Sequence, residues 1–577
     1  MAPPELAVHG CGSPSPAPSP APAPTPIPPP SPLPQLFMDK QDILQPYGRI
    51  RFKASTARQM PSLKAPPLNY TDGATVFATF HNIGNGTGSS VPAYEVYAAV
   101  GRPGEPISDT MSDVVPNGVS VLRFTSDDLI TYSSPLEVLY LENGSGATVG
   151  KNDGSIWTVK SLDRSGDGPE SRHILFASYG STCHSFVATD VTQAHAFKPT
   201  TANFTTPNFK DHDDTNVFYH RESGRWIDMQ IMYEVFEKKY CDNVRGARRV
   251  ITVRDSKDGG VTWSDDWGCL DRPQKDEHCK TFNTTAMVRP NDAARHAQGR
   301  ANDEDPPELE FYRIRPFMIG DRATGRLAAH VLLYVPTPSD VVVQPGYGRQ
   351  PLWYCKDGCC HGPHMYEEWW IGPRSGDPTD MAGWRRPFFD THAFPHDVWA
   401  MGQPVSVANA TPPSGVAASD FAGMGGTPSP TPSLVWLSNG LAWGVPQNRL
   451  AGLNAKSNAE FTTFPFPFPL EPLWIDADAL WGEKPDVGPE WCAGGCNGVG
   501  GSDEAHAAYI MAELRDAATD SVVPGYERGG SLIMNAAGSR LPLDWPNASS
   551  QTIPVGHLVM LRFYFRDATI YALGSGT

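Results

Sequence analysis

Acidic residues stand at the start of several apolar, strand-like stretches of this 577-residue sequence. Two carboxyl groups that face one site can act as a proton donor and as a nucleophile or base, which is the chemistry of glycosidic-bond cleavage. A single acid in such a position is usually a solvated turn residue, because Asp is common in turns. Its recurrence before successive strands favours a shared site. The residues are Asp72 before TVFATF, Asp153 before SIWTV, Asp213 and Asp214 before NVFYH, and Glu308 and Glu310 before FYRIRPF.

The chemistry suggests a role for each candidate. We expect Asp72 to be the nucleophile or base, Asp214 an orienting carboxylate and Glu310 the acid. Strand alternation puts Glu310 on one face with Tyr312 and Ile314, and puts two arginines on the other face. Arginine binds hydroxyl or carboxylate groups, and exposed aromatic rings can stack on sugars. The predicted substrate-binding residues are Asp153, Asp213, Glu308, Arg313, Arg315, His396, Asp397 and Trp399.

These acids can meet only if repeated sheets bring them together. The stretch 256–263, SKDGGVTW, fits the Asp-box pattern S-x-D-x-G-x-T-W, in which the Asp side chain accepts backbone N–H bonds within a turn. The stretch 126–132 repeats this pattern with one residue fewer. Weaker repeats of a strand and an Asp-bearing turn end near Pro199 and Pro387, and a fifth unit closes at about Phe466. Such repeats predict sheets around a common axis, and their spacing fits five better than six.

The predicted fold is all-β, with a five-bladed β-propeller followed by a C-terminal β-sandwich. Residues 1–34 form a Pro-rich tail without a core, which predicts a disordered spacer. Residues 35–470 form the predicted propeller. Residues 471–577 contain strand-like stretches separated by turn residues, and Trp474, Trp481 and Trp545 are available to fill a core between two sheets.

Composition limits the possible partners. The net charge of −17 argues against nucleic acid or an anionic membrane as a partner. No apolar run reaches the roughly 18 residues that a membrane span requires. Paired-carboxylate chemistry needs no cofactor, so none is expected, and the predicted partner is a carbohydrate substrate.

Cysteines and glycosylation sequons indicate the compartment. The ten cysteines and seven Asn-x-Ser/Thr sequons favour an extracellular or secretory location. The first residues, MAPPELAVHGCG, contain no visible signal peptide, which argues against that location. The stretch 355–364, CKDGCCHGPH, suggests a zinc site, but its spacing matches no standard finger. Paired disulfides are the favoured interpretation, so no metal site is predicted.

The two ends of the predicted folded region carry a family resemblance. Near its beginning, the predicted folded region has Leu36 and Phe37, followed by Asp39 and Ile43. Near its end, it has the stretch 561–572, LRFYFRDATIYA. With the repeated Asp turns, these stretches resemble secreted bacterial proteins described as family 32-like glycoside hydrolases. These belong to the family 32/43 group of five-bladed propellers, which includes invertases, inulinases and arabinanases. The resemblance implies a propeller with a C-terminal sandwich and a glycosidase activity.

The sequence also departs from that family. The invertase motifs Asn-Asp-Pro-Asn-Gly, Arg-Asp-Pro and Glu-Cys are not intact here, so the family's catalytic residues are not carried over. The missing motifs and the Pro-rich tail favour an alternative, a catalytically inactive carbohydrate-binding or cell-wall-associated propeller protein. The Asp box suggests a sialidase as a third hypothesis, but a sialidase would need six blades and three clustered arginines. Two carboxyl groups about 5 to 10 Å apart in the central funnel would favour an enzyme.

Overall fold

The structure is a computed structural model that describes part of the chain. The described residues are 30–60, 63–68, 75–82, 91–102, 118–142, 157–166, 171–179, 182–200, 215–235, 247–260, 262–264, 310–319, 325–334, 354–356, 359–361, 365–380, 383–386, 392–395, 402–407, 433–438, 440–479, 508–534, 536–548 and 553–576.

Over these residues the fold is all-β, as predicted from the sequence. The described part contains two complete 3-10 turns, Lys40–Asp42 and Gln447–Arg449. Within the same part, no helix is long and apolar enough to cross a membrane. Four short strands open the described chain: β1 Gln35–Leu36, β2 Leu44–Tyr47, β3 Ile50–Ala54 and β4 Arg58–Gln59.

Five antiparallel sheets follow in chain order. The sheets are β5 to β8, β9 to β12, β13 to β15, β16 with β17 and β20, and β21 to β23 with β4; we call them blades I to V. Strands β18 and β19 form a separate hairpin. The bounds are β5 Thr75–His81, β6 Tyr94–Arg102, β7 Gly118–Ser126, β8 Leu136–Glu142, β9 Trp157–Arg164, β10 His173–Tyr179, β11 Thr182–Ala188, β12 Lys198–Pro199, β13 Thr215–His220, β14 Arg225–Val235, β15 Ala247–Ser256, β16 Glu310–Ile319, β17 Arg326–Tyr334, β18 Tyr354–Lys356, β19 Cys359–His361, β20 Met365–Ile371, β21 Val405–Val407, β22 Ser433–Ser438 and β23 Leu441–Pro446.

The first strands of the blades lie side by side. Strand β9 contacts β5 and β13, β13 contacts β16, and β21 contacts β5. Blades IV and V pack through aromatic side chains, with the ring of Trp436 lying 5.4 Å from Phe317 and 5.3 Å from Trp369. Trp369 and Trp370 are fully buried, in agreement with the sequence expectation that they belong to the core. This order of sheets around an axis is that of a five-bladed β-propeller.

The predicted Asp turns are confirmed in blades I to IV. Asp128, Asp190, Asp258 and Asp377 follow the third strand of their respective blades. Each carboxylate accepts the backbone N–H of a threonine two to four residues later, at 2.8 to 3.0 Å. These turns need only residues that are close in sequence, which is why a short pattern was enough to find them.

The remaining strands build two packed sheets. One sheet has the order β3-β24-β32-β27-β30, with β1 paired to β32; the other has the order β2-β25-β31-β28-β29, with β26 paired to β31. Their shared core includes Phe37, Phe461, Phe563 and Trp545. This is the expected β-sandwich. The bounds are β24 Ala451–Ala455, β25 Ala459–Thr462, β26 Phe466–Pro467, β27 Leu473–Ala479, β28 Tyr509–Asp516, β29 Ser531–Met534, β30 Ala536–Pro542, β31 Leu558–Arg566 and β32 Ala568–Ser575.

Strand pairing corrects two sequence expectations. The fifth repeat was expected to run to Phe466, but blade V ends at Pro446, and β24 to β26 pair within the sandwich. Strand β4 from the beginning of the chain supplies the missing strand of blade V, with Gln59 opposite Trp443. Of the predicted core tryptophans, Trp545 packs between the sheets. Trp474 is buried but alternates with two core residues of β27, and Trp481 lies outside the described residues.

Candidate functional site

A cavity lies at one end of the propeller axis. It has a volume of about 290 Å³, and the last residues of four first strands line it, namely Thr79–His81, Asp163–Arg164, Phe218–His220 and Pro316–Met318. Because all four strands end at this cavity, they run in the same direction and start at the opposite end of the axis. We call the cavity the axial cavity and the opposite end the mouth.

Most of the predicted site residues lie outside the described residues. Glu310 is the first residue of β16, where the backbone is described but the side chain is not. Arg313 and Arg315 are described in full. The site residues outside the described part are Asp72, Asp153, Asp213, Asp214, Glu308, His396, Asp397 and Trp399.

A β-bulge changes the predicted faces of β16. The register shifts between Phe311 and Arg313, so Tyr312 has no residue opposite it on β17. Glu310 stands opposite Tyr334 and Arg313 opposite Leu332, which places positions 310 and 313 on the same face of the sheet. The expectation that Glu310 alternates with Tyr312 and lies on the face away from the arginines is therefore wrong. Alternation cannot reveal an inserted residue.

Arg313 is held inside blade IV. Its Nη2 donates to Glu367 Oε1 at 2.7 Å, and the Nδ1 of His330 lies 2.7 Å from Glu367 Oε2. Burial alone would raise the pKa of Glu367, but the charges and hydrogen bonds of His330 and Arg313 outweigh it and lower that pKa. The Nε2 of His330 lies 3.3 Å from the carbonyl oxygen of Gly402, just before β21. This buried group links blade IV to the beginning of blade V.

Arg315 crosses the propeller axis. The residue is only 2% exposed, and its Nη2 donates to the carbonyl oxygen of Lys160 at 3.1 Å. Arg315 belongs to blade IV and Lys160 to blade II, which are not neighbours in the ring. Both residues precede the axial cavity along their strands. Arg315 therefore bridges the axis between the mouth and the axial cavity.

Asp163 places an unusual carboxyl group in the axial cavity. Its Oδ2 accepts the backbone N–H of Tyr219 at 2.6 Å, and its Oδ1 accepts the backbone N–H of Arg164 at 2.8 Å. Burial raises the pKa of Asp163 to about 6, although these hydrogen bonds and the nearby charge of Arg221 act in the opposite direction. A group titrating near pH 6 in a cavity can donate or accept a proton. Sequence analysis did not identify Asp163, whose only signal is an Asp-Arg pair ending an apolar strand.

Replacing Asp163 with Asn should change how stability depends on pH. The pKa of this carboxyl is about 6 in the folded chain against an ordinary value of 3.8, so the folded state binds more protons between these pH values. The unfolding free energy of the wild type should therefore fall as pH rises through this window, by about 3 kcal/mol relative to Asp163→Asn. Urea unfolding of both proteins at pH 4 and pH 7 measures the change. An equal difference at the two pH values would contradict it.

No metal centre is found in the described part of the chain. No three His, Cys, Asp or Glu residues there are close enough together to hold an ion. Within the stretch that suggested zinc, strands β18 and β19 form a hairpin in which Cys355 stands opposite Cys360. The side chains of these residues lie outside the described set. The disulfide interpretation stays a prediction.

Comparisons with known proteins show only distant similarity. No family model matches the sequence, and no curated protein matches it significantly. Among solved structures, the chain is similar to sucrose-6-phosphate hydrolase from Lactobacillus gasseri, with 11% identity, a TM-score of 0.28 and coverage of 87% of this chain and 91% of that one.

Two further solved structures show similarity at the same level. One is described as a glycoside hydrolase, with 9% identity, a TM-score of 0.20 and coverage of 86% and 97% of the two chains. The other is an α-L-arabinofuranosidase from Fusarium graminearum, with 10% identity, a TM-score of 0.23 and coverage of 69% and 99%. Similarity of this size does not assign an activity to this chain.

Proposed function

We propose that this protein is an extracellular glycoside hydrolase that cleaves an oligosaccharide or polysaccharide with paired carboxyl groups at the mouth. The observation that supports this most is the common direction of the first strands, because four strands that end at one cavity must start at one mouth. The proposed acids lie within four residues of those starts. Asp72, Asp153 and Asp214 precede Thr75, Trp157 and Thr215, and Glu310 begins β16.

Chain length limits how far these acids can lie from the mouth. An extended chain advances at most about 3.6 Å per residue, so none of these residues can move far from its strand. In the proposed reaction, protonated Glu310 donates its proton to the leaving oxygen of the glycosidic bond. Asp72 attacks the anomeric carbon or activates a water, and Asp214 orients the substrate. Asp153, Asp213, Glu308, His396, Asp397 and Trp399 are the proposed substrate contacts.

The ion pair in blade IV fits the role proposed for Glu310. A general acid must be protonated before reaction, and an unpaired arginine nearby would favour its ionised form instead. Arg313 shares a face of β16 with position 310, but Glu367 neutralises the charge of Arg313. This pairing offsets the charge that Arg313 would otherwise present to a carboxyl group on that face. Arg313 and Arg315 would then shape the mouth from below, without direct contact with sugar hydroxyls.

The test is hydrolysis of a panel of furanosides and arabinogalactans, measured as release of reducing sugar. We expect Glu310→Gln and Asp72→Asn each to lower the rate by a factor on the order of 10² to 10⁴, because each removes a group needed in the transition state. Glu471→Gln is the matched control, since Glu471 is an exposed carboxylate of the sandwich segment and should keep full activity.

The outcomes separate the two main hypotheses. Full activity in both Glu310→Gln and Asp72→Asn would refute the assigned roles. Glycan binding without hydrolysis by any form of the protein would instead support the catalytically inactive carbohydrate-binding or cell-wall-associated protein.

A further inference from the structure

We infer that the axial cavity is a second ligand site, separate from the mouth, that binds a neutral polyol of monosaccharide size. This inference does not depend on the proposed catalysis, because it rests on described residues at the other end of the axis. The cavity of about 290 Å³ is close to the lower limit of ligand pockets and suits a single small ring. The residues Gln403–Ser406 complete the wall beside the ends of the four first strands.

Asp163 supplies acceptor capacity to this cavity. The residue is only 8% exposed, and each of its carboxylate oxygens accepts one backbone N–H. An ionised carboxylate can accept about four hydrogen bonds, so lone pairs remain on a group that lines the cavity. Hydroxyl groups of a ligand would satisfy them, and a buried acceptor gains most from such donors.

Apart from its two histidines, His81 and His220, the charges of the wall are balanced. Two carboxyl groups, from Asp163 and Glu222, and two guanidinium groups, from Arg164 and Arg221, line the cavity. Arg164 donates to Asn82 Oδ1 at 2.6 Å and to the carbonyl oxygen of His81 at 2.7 Å, so its orientation is fixed within the protein. Glu222 lies 3.1 Å from the Nε2 of His220. A balanced wall gives no net attraction to an ionic ligand, which favours a neutral one.

Aromatic and apolar side chains complete the recognition surface. Phe80, Phe218, Tyr219 and Phe317 line the cavity together with the polar groups. A small polyol has hydroxyl groups for Asp163 and C–H groups for the apolar part of the wall, so it matches both parts. The bridge from Arg315 to Lys160 stands between this cavity and the mouth, so a ligand here would not occupy the proposed catalytic position.

The test is titration of the Glu310→Gln protein with L-arabinose, D-glucose and myo-inositol, with sodium acetate as the ionic comparison. Binding is followed by saturation-transfer NMR and calorimetry. In the same background, Gln403→Trp should fill the cavity. Asp163→Asn should replace one of the two carboxylate oxygens of residue 163 with an NH2 group, which cannot accept a hydrogen bond. We expect each to weaken binding of the best polyol at least tenfold, while Glu471→Gln leaves it unchanged. Near-UV circular dichroism checks that every variant is folded.

The absence of polyol binding would overturn the inference. Unchanged affinity in Gln403→Trp, or tighter binding of acetate than of any polyol, would also overturn it. If the wild type binds the polyol and Glu310→Gln does not, the binding site is at the mouth. That result overturns this inference but not the proposed hydrolase. Loss of hydrolysis in Glu310→Gln with polyol binding retained supports both.

Discussion

A chain that lacks residues 1–59 should not fold stably, and its unfolding curve should therefore show no cooperative transition. The deletion removes β1, β2 and β3, which pair with β32, β25 and β24 of the sandwich, and β4, which completes blade V. It also removes Phe37, which is fully buried with its ring 5.1 Å from that of Phe461. Removing one buried phenylalanine side chain typically costs about 3 to 5 kcal/mol, and a whole domain is stable by only about 5 to 15 kcal/mol. Losing this side chain together with the pairing of four strands should leave too little stability for a cooperative fold.

The measurement is thermal and urea unfolding followed by circular dichroism and tryptophan fluorescence. Deletion of residues 1–29 alone is the matched control, because it removes only the Pro-rich tail, and its unfolding midpoint should equal that of the full chain. Phe37→Ala provides a graded variant that should lose about 3 to 5 kcal/mol while still folding. A cooperative transition at the wild-type midpoint after deletion of 1–59 would refute the assigned strand pairing.

Glu95→Gln should destabilise the propeller by about 3 to 5 kcal/mol at pH 7. Glu95 is only 1% exposed; its Oε2 accepts from the Tyr97 hydroxyl at 2.9 Å and from Arg123 Nε at 3.2 Å. Arg164 Nη1 lies 4.0 Å from Oε1, which also accepts from Asn82 at 3.2 Å. The Gln amide would turn an N–H group toward one of these donors. It would also leave the buried Arg164 and the partly buried Arg123 without a counter-charge, a situation of about that cost.

The effect of Glu95→Gln should shrink in acid. Burial alone would raise the pKa of Glu95, but Arg123, Tyr97 and Arg164 outweigh it and lower the pKa from 4.5 to about 2. A lowered pKa contributes stability above pH 4.5 that is lost as the pH falls toward 2, here about 3 kcal/mol. Urea unfolding at pH 7 and pH 3 measures the change. The exposed control Glu471→Gln should differ from wild type by less than about 0.5 kcal/mol, and an equally small effect of Glu95→Gln would contradict the role of Glu95.

Local patterns in the sequence predicted much of the propeller. The turns at Asp128 and Asp258 need only a short run of residues, so their pattern located the end of the third strand in two blades and its weaker repeats located two more. Apolar runs such as TVFATF and NVFYH marked first strands correctly. The pairing of Gln59 with Trp443 could not be predicted, because nothing in a two-residue strand specifies a partner almost 400 positions away.

The candidate site was harder to predict, for physical reasons. A bulge at Tyr312 reverses the expected relation of Glu310 to Arg313, and a bulge has no signature in apolar alternation. Buried carboxyls such as Glu95, Asp163 and Glu367 stand inside apolar strands, where a charged residue signals a partner without identifying it. Most of their partners come from other strands or other blades, so only the folded chain reveals them.

The joining of the first strands to the last ones has a consequence for biosynthesis. Strand β1 pairs with residues 572 and 573, so its partner is synthesised more than 500 residues after it. At about 5 to 20 residues per second, the early strands must wait on the order of a minute with their edges exposed. A nascent chain of this protein should therefore depend on chaperones that shield unpaired strand edges until residues 572 and 573 have been synthesised.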